Sequence, residues 1–118
     1  EFVEAQWKIL QFKKADDFVL ATGKSYSVKN FVDIAFNLVG IKIIWKGKGV
    51  NEVGLDKKTK KILVKVDKKY FRPNEVDHLR GDYKKARLLL NWKPRITFKN
   101  MISRMLKNDL NKLNKKKD

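Results

Sequence analysis

Apolar residues recur at helical spacing in four stretches of the chain, and two of these lie in its first third. The first stretch covers residues 1–13 and places three apolar residues on one face: Val3, Trp7 and Leu10. The second begins after Ser27, whose hydroxyl can accept an unpaired backbone N–H at the start of a helix. It ends at Gly40, because glycine favours the left-handed backbone of a helix C-terminus. The pattern therefore predicts two helices, each with an apolar face.

Two further helices are predicted in the last third of the chain. Asp82 can cap a short helix that includes Ala86, and Pro94 interrupts the segment that follows it. Thr97 can cap the last helix, which has the most regular apolar stripe: Phe98, Met101, Ile102, Met105, Leu106, Leu110 and Leu113. We expect the apolar stripe of the helix that begins after Ser27 to face the core. The three tryptophans are expected there too: Trp7, Trp45 and Trp92.

Short apolar runs between the helices predict strands. Residues 18–21 form a continuous apolar run, which is typical of a buried strand. Residues 41–45 alternate apolar and polar positions, and residues 62–66 form another run after a polar turn at 56–61. These two runs predict a projecting β-hairpin. The three glycines within residues 46–55 predict an irregular loop between them.

Length and charge indicate one domain with a basic second half. With 118 residues, of which 42% are hydrophobic, we assign residues 1–113 to a single domain and 114–118 to a basic disordered tail. Residues 1–56 hold 8 Lys/Arg against 7 Asp/Glu, whereas residues 57–118 hold 21 against 6. This excess permits an anionic partner. Lysine outnumbers arginine 24 to 5, and base-specific contacts usually rely on arginine, so no specific nucleic acid is expected.

Several kinds of chemistry are excluded by composition. Cysteine is absent, which removes disulfides, thiolate zinc sites and cysteine nucleophiles. His78 is the single histidine, so no metal site can use two imidazoles, and we expect it to be structural rather than a general base. No apolar run approaches the roughly 20 residues that cross a bilayer, and the first residues form no secretion signal, so a cytoplasmic location without a membrane partner is expected. The first helix also lacks a capping residue, which suggests a fragment of a longer protein.

One segment places binding chemistry around a proline. Arg72 precedes Pro73, which favours an extended backbone at Arg72, and Glu75 follows closely enough for one ligand to reach both side chains. The guanidinium is suited to phosphate, and the Glu75 carboxylate can accept from vicinal hydroxyls. An internal Arg72–Glu75 ion pair is the simpler interpretation and stays open. The glycines of residues 47–49 resemble a phosphate cradle only weakly, because the loop does not open a helix.

Five segments occur in the order found in one enzyme family. They are FVEAQWKILQ (2–11), DFVLATGKSYSVKNFVDIAF (17–36), WKGKGVNEVG (45–54), YFRPNEVDHLRGDYKKA (70–86) and LNWKPRITF (90–98). The chain closely resembles the C-terminal portion of the GDP-mannose 4,6-dehydratases, which are extended short-chain dehydrogenases/reductases. The W.G.G..E.G loop together with YFRP.EVD is the most specific part of the resemblance. Asn91 and Lys60 stand where the family usually has glycine, which puts the local turns in doubt.

The resemblance implies an α/β fold in which this chain is the substrate-binding segment of a parent with a Rossmann-type NADP domain. Residues 18–21 would join the edge of the parent's parallel sheet. Arg72 would contact the pyrophosphate of GDP-mannose and Glu75 its ribose hydroxyls. The glycine-rich NADP motif and the Tyr-x-x-x-Lys pair of the family are not found in this sequence. We therefore expect no catalytic, cofactor-binding or metal-binding residues here, with NADP bound by the absent part.

The parent enzyme implied by the resemblance is a homo-oligomeric lyase that converts GDP-mannose to GDP-4-keto-6-deoxymannose on the way to GDP-fucose. Three alternatives stay open. The chain could be the C-terminal domain of another sugar-nucleotide epimerase or dehydratase, or an independent sugar-nucleotide-binding domain without catalysis. A small basic nucleic-acid-binding module would need exposed aromatic residues along a basic face. Here the best-patterned aromatic residues lie on apolar stripes: Trp7, Phe31 and Phe98.

Overall fold

A computed structural model describes residues 1–72 and 79–115 and divides the chain into two compact units. The first unit comprises Glu1–Tyr26 and Val76–Phe98, and the second comprises Ser27–Glu75 and Lys99–Asp118. The helices, in chain order, are α1 (Phe2–Leu10), α2 (Val28–Leu38), α3 (Lys84–Leu90) and α4 (Phe98–Asn114). The strands, which all lie between α2 and α3 in sequence, are β1 (Ile43–Lys46), β2 (Val53–Asp56) and β3 (Ile62–Lys65).

A small apolar core joins α1 to α3 in the first unit. Ala5 of α1 and Ala86 of α3 are fully buried, and their small side chains let the two helices approach closely. Trp92, which is 1% exposed, belongs to the same core, and its indole N–H donates to the carbonyl oxygen of Glu1 at 3.0 Å. Partly buried side chains surround these residues: Ile9, Phe12, Phe18, Leu20 and Tyr83. The expectation that Trp92 lies in the core is confirmed.

Charged groups fix the rotation of α1 about its own axis. The Glu1 carboxylate accepts hydrogen bonds from the backbone N–H of Arg95 at 2.8 Å and from that of the next residue at 3.2 Å. One turn along α1, the Glu4 carboxylate accepts from the Arg95 guanidinium at 2.9 and 3.0 Å. After another turn, the Lys8 ammonium donates to the carbonyl oxygen of Asn91 at 3.0 Å. These bonds all lie on the side of α1 that packs against the segment after α3.

The second unit contains a three-stranded antiparallel sheet in the order β1-β2-β3. Trp45 of β1 lies opposite Gly54 of β2, and Gly54 lies opposite Val64 of β3. The register is irregular after Gly54, because Leu55 lies opposite Ile62 and Leu63 of β3 is skipped. The two predicted strands are present as β1 and β3, but the hairpin predicted from them is wrong, because β2 lies between them and pairs with both.

The turn between β2 and β3 is held by one carboxylate. Asp56 accepts hydrogen bonds from the Thr59 hydroxyl at 2.7 Å and from the backbone N–H of Lys58 at 2.8 Å. The Thr59 bond, followed by the Lys58 bond, holds the pKa of the Asp56 carboxyl below its ordinary value of 3.8. Lys60 closes this turn with a φ of 60°, and Asn91 ends α3 with a φ of 47°. The backbone thus keeps a glycine-like conformation at both positions where the resembled family usually has glycine.

Helix α2 begins and ends where the sequence predicts. The Ser27 hydroxyl accepts from the backbone N–H of Asn30 at 3.0 Å, and the Asn30 side chain accepts from the backbone N–H of Ser27 at 3.2 Å. This reciprocal pair is a capping box. Gly40 follows the helix with a φ of 77°. The apolar stripe is less buried than expected, because no residue of α2 is fully buried and Val28 is 81% exposed.

Helix α4 is present with the predicted spacing, but its stripe is mostly exposed. Ile102 is 1% exposed, whereas Met105 is 48% and Leu113 is 59% exposed. The helix includes Asn114, and residues 116–118 lie outside the described residues, so the disordered tail stays a prediction. Among the described residues, neither α4 nor any other helix is long and apolar enough to cross a membrane.

Three further predictions about the fold are wrong. Strand β2 lies in the segment expected to be an irregular loop, because Gly54, which predicts a loop, lies inside a strand here. Residues 18–21 form no strand in the described structure. They belong to the first unit, whose described residues contain no strand with which they could pair. Trp7 is 61% exposed because the opposite side of α1, around Ala5, packs on the core. Whether residues 18–21 join a sheet in the parent stays a prediction.

Candidate functional site

Arg72 lies at the end of a hydrogen-bonded segment, residues 65–72, that leads out of the sheet. We call this segment the path. After β3, Asp67 caps a single 3₁₀ turn (Lys68–Tyr70) by accepting from the backbone N–H of Lys69 at 2.9 Å. The carbonyl oxygen of Asp67 also accepts from the backbone N–H of Tyr70 at 3.1 Å. Phe71 ends this turn in an extended conformation, and the exposed Arg72 follows it. These hydrogen bonds restrict the backbone as far as Phe71, the residue before the predicted ligand residue.

This path is also tied back to the start of β2. The backbone N–H of Val66 donates to the carbonyl oxygen of Glu52 at 3.3 Å. Arg72 is therefore six residues from a hydrogen bond to the sheet region and two residues from the 3₁₀ turn. Glu75 and His78 lie outside the described residues. Their predicted roles, and the alternative of an Arg72–Glu75 ion pair, accordingly stay predictions.

Positive charge accumulates along the same path. Residues 65–72 contain one carboxylate, Asp67, against four cationic side chains: Lys65, Lys68, Lys69 and Arg72. The Lys69 ammonium lies 5.5 Å from the centre of the Tyr70 ring, which is itself 73% exposed. A segment with this charge and an exposed aromatic ring is suited to a phosphate-bearing ligand.

A polar cluster attaches α2 to the sheet. The indole N–H of Trp45 donates to Asp33 at 2.8 Å, and the Lys29 ammonium pairs with the Glu52 carboxylate at 2.6 Å. Lys29 also lies 4.8 Å from the centre of the Trp45 ring. Lys29 and Asp33 are one turn apart on α2, so a single helix face meets β1 and the segment before β2. We call Lys29, Asp33, Trp45 and Glu52 the Trp45 cluster.

Steric contacts explain why glycine occupies two positions beside this cluster. Gly47 has a φ of 83°, and a Cβ atom there would lie 2.4 Å from the carbonyl oxygen of Asn51. Gly54 is buried, and a Cβ atom there would lie 3.0 Å from Ile43 and 3.2 Å from Trp45. The W.G.G..E.G string, which marks the family in the sequence, therefore also builds the sheet and its attachment to α2.

The phosphate-cradle interpretation of residues 47–49 does not fit this loop. Gly49 opens a 3₁₀ turn of three residues (Gly49–Asn51), and the next element is strand β2 rather than an α-helix. A cradle of the dinucleotide or P-loop kind needs the N-terminus of a helix at this point. Loop geometry accounts for the glycines.

An open cavity of about 560 Å³ lies in the first unit, and the sequence contains no motif that indicates it. Its described lining consists of Gly23, Lys24, Ser25, Tyr26 and Arg80. The Tyr26 ring stacks on Phe98 with 4.0 Å between ring centres and 5° between ring planes. The cavity offers two cationic side chains and an aromatic ring, but these side chains are exposed. Among the described residues, no group of three His, Cys, Asp or Glu side chains could hold a metal ion.

Comparison with known proteins gives a consistent result. A family model described as GDP-mannose 4,6 dehydratase matches residues 1–105. A Drosophila melanogaster protein with that name is 46% identical over 115 residues, which are 98% of this chain and 29% of the relative. Proteins of the same name from Cricetulus griseus and Homo sapiens are 49% and 48% identical over 110 residues, which are 93% of this chain and 30% of each relative.

These matches identify a nucleotide-sugar dehydratase sequence over nearly the whole chain. The chain belongs to the GDP-mannose 4,6 dehydratase family. It spans about three-tenths of the length of the curated relatives that it matches.

Proposed function

We propose that this chain is the sugar-nucleotide-binding portion of an enzyme that converts GDP-mannose to GDP-4-keto-6-deoxymannose. The observation that carries the proposal is the family match over residues 1–105, together with relatives named GDP-mannose 4,6 dehydratase. A cytoplasmic location and a homo-oligomeric parent are part of the same proposal.

In this proposal the chain contributes binding and orientation. The Arg72 guanidinium holds the pyrophosphate of GDP-mannose, and the Glu75 carboxylate accepts from the ribose hydroxyls. The basic path of residues 65–72 adds a favourable field for a ligand with two phosphates. The 3₁₀ turn and the Val66–Glu52 hydrogen bond support a fixed position for this ligand, because they restrict the backbone that leads to Arg72.

The reacting groups are expected elsewhere in the enzyme. The conversion moves a hydride from C4 of the hexose to C6 and removes water across C5–C6, so the sugar is neither oxidised nor reduced overall. NADP, when bound by the remaining part of the enzyme, supplies the hydride chemistry. This chain's sequence contains neither the glycine-rich motif nor the Tyr-x-x-x-Lys pair that such chemistry uses in the family.

The proposal is tested in a family-length context. In a chimera, this chain replaces the matching 30% of the Homo sapiens relative. With NADP, the chimera is expected to form the 4-keto product from GDP-mannose, whereas the 118-residue chain alone is expected to form none. Formation of the product by the pure isolated chain would contradict the proposal that the reacting groups lie elsewhere in the enzyme. A folded chimera that neither binds nor converts GDP-mannose would contradict the proposed function.

A further inference from the structure

Asp67 is the one carboxylate on the path, where it lies among four cationic side chains. Together these groups give residues 65–72 a net charge of +3. A negative charge weakens the field that a basic segment presents to phosphate groups, so the charge of Asp67 is unfavourable for binding a diphosphate. Any favourable contribution of Asp67 therefore has to come from its hydrogen bonds.

The Asp67 side chain binds the backbone of the residues that follow it. Its carboxylate accepts from the N–H of Lys69 at 2.9 Å, and its carbonyl oxygen accepts from the N–H of Tyr70 at 3.1 Å. The Asp67 backbone is extended, with a φ of −89° and a ψ of 123°, as in a residue that caps a helical turn. Asp67 is thus the N-cap of the 3₁₀ turn, a role that aspartate and asparagine fill about equally well.

The 3₁₀ turn depends on this cap because its own hydrogen bonds are few. None of its three residues (Lys68–Tyr70) is buried, so burial of apolar surface adds little to its stability. The N–H of Phe71 donates to the carbonyl oxygen of Lys68 at 3.4 Å, which is longer than a typical backbone hydrogen bond. Loss of the Asp67 side-chain bond should therefore lower the population of the turn.

We propose that Asp67 is a positioning residue for Arg72. Phe71 ends the turn in an extended conformation and Arg72 follows it, so the formed turn sets the direction in which the chain reaches Arg72. Apparent affinity falls in proportion to the population of the binding-competent conformation. Loss of a cap changes such a population by about fivefold. This inference rests on the proposed function, because it assumes that the Arg72 guanidinium contacts the pyrophosphate of GDP-mannose.

The test separates the capping oxygen of Asp67 from its charge. Asp67→Asn keeps an acceptor oxygen and removes the charge, Asp67→Glu keeps the charge on a side chain that caps poorly, and Asp67→Ala removes both. All three variants are made in the chimera with the Homo sapiens relative, and the affinities for GDP-mannose and NADP are measured beside thermal melting. Asp56→Ala is the matched control, because the Asp56 carboxylate also accepts from a backbone N–H two residues on, at 2.8 Å, but in the turn before β3.

The three variants are expected to differ by their caps. Asp67→Asn should bind GDP-mannose within about twofold of the unsubstituted chimera, since the cap remains. Asp67→Glu and Asp67→Ala should bind it about three- to fivefold more weakly, with NADP affinity unchanged. A role through charge alone gives a different pattern, in which Asp67→Asn and Asp67→Ala both bind more tightly and Asp67→Glu is unchanged. That pattern, or equal affinities of all three variants, would overturn the proposal.

Thermal melting and the control detect a role in stability alone. Asp56→Ala is expected to leave the GDP-mannose affinity within about twofold, because the turn that it weakens does not lead to Arg72. Equal losses of affinity for Asp56→Ala and Asp67→Ala would indicate a general weakening of the second unit and would overturn the proposal. If Asp67→Ala does not fold, the difference in affinity between Asp67→Asn and Asp67→Glu decides for or against positioning.

Arg72→Ala distinguishes the failure of this inference from the failure of the proposed function. In the Arg72→Ala background, Asp67→Glu is expected to change GDP-mannose affinity by less than about twofold, because no guanidinium remains to be positioned. An undiminished loss in that background would overturn the proposal. If Arg72→Ala weakens binding and Asp67→Glu does not, the proposed function stands and this inference is wrong. A chimera without affinity for GDP-mannose, or one whose affinity survives Arg72→Ala, counts against the proposed function and overturns this inference with it.

Discussion

Different interactions stabilise the interior of each of the two units. The first unit has an apolar core around Ala5, Ala86 and Trp92, and charged side chains add contacts at its edge, which fix the rotation of α1 and pair Lys85 with Asp16. The second unit has few fully buried residues among those described, and its α2 has none. There, α2 is attached to the sheet by the Trp45 cluster, which consists of hydrogen bonds and an ion pair.

This difference bears on where each unit is vulnerable. An apolar core loses stability in proportion to the volume removed, whereas a polar attachment depends on single donors and acceptors. The first unit should therefore respond most to the loss of a large buried side chain. The second should respond to substitutions that keep the volume but delete one hydrogen bond. The segment that leads to Arg72 belongs to the second unit, so the predicted ligand site depends on the polar attachment.

The largest effect is expected at Trp92. Trp92→Ala removes a side chain that is 1% exposed and an indole donor to Glu1, so the free energy of unfolding should fall by about 3–5 kcal/mol. Trp7→Ala removes the same side chain from a site that is 61% exposed and should cost less than about 0.5 kcal/mol. Urea unfolding followed by circular dichroism measures both. Equal losses would contradict the apolar-core account of the first unit.

A smaller effect is expected at Trp45. Trp45→Phe keeps the ring in the sheet but deletes the donor to Asp33, which should lower the free energy of unfolding by about 1–2 kcal/mol. A double-mutant cycle with Asp33→Ala should give a coupling of about 1 kcal/mol. Lys46→Ala, one residue later and exposed, is the control. Coupling near zero would mean that the sheet is attached to α2 by packing alone.

The smallest effects are expected at the two left-handed residues, and they should be stabilising. Lys60→Gly relieves a β-carbon at a φ of 60° and should raise the free energy of unfolding by about 1 kcal/mol. Asn91→Gly should gain only a few tenths of a kcal/mol, because asparagine tolerates this conformation. Lys58→Gly, in the same turn but without a positive φ, should gain nothing. Thermal melting ranks the stability of the three variants. A lower melting temperature for Lys60→Gly would contradict the turn geometry.

Much of the local structure could be predicted from the sequence because its signals are local. Ser27 and Gly40 bracket α2 through a capping hydroxyl and a glycine, which act within a few residues. The polar turn after Asp56 is of the same kind, since its carboxylate binds groups two and three residues on. Periodicity also placed α4 correctly, although it gave no information on how deeply the stripe of that helix is buried.

The features that could not be predicted depend on contacts between distant residues. Helix α1 is apolar on two sides, and only the packing of Ala5 against α3 decides that Trp7 faces outward. The sequence alone indicates that Lys29 and Asp33 are solvated surface charges. In the fold, Lys29 pairs with Glu52, 23 residues away, and Asp33 accepts from Trp45, 12 residues away. The candidate site shows the same division. Arg72 was identified from its neighbours in sequence, whereas the turn and the hydrogen bond to Glu52 that restrain its backbone emerge only from the fold.

The role of Arg72 is the central claim, and it can be tested in the chimera by titration with GDP-mannose. Arg72→Ala should weaken binding by about 2–5 kcal/mol if the guanidinium grips the pyrophosphate. Arg72→Lys should recover only part of this loss, because an ammonium keeps the charge but not the planar fork of donors. Glu75→Gln should cost about 1–2 kcal/mol, since the amide oxygen can still accept from one hydroxyl.

Lys69→Ala removes the same charge three residues earlier on the same path, and it should change GDP-mannose binding by less than about 1 kcal/mol. The most direct measurement is therefore the GDP-mannose affinity of Arg72→Ala beside that of Lys69→Ala, with thermal melting of both. The account predicts a large loss of affinity for Arg72→Ala alone, with unchanged melting and unchanged NADP affinity. Lower melting of Arg72→Ala with GDP-mannose affinity intact would contradict it and identify Arg72 as one half of an internal ion pair.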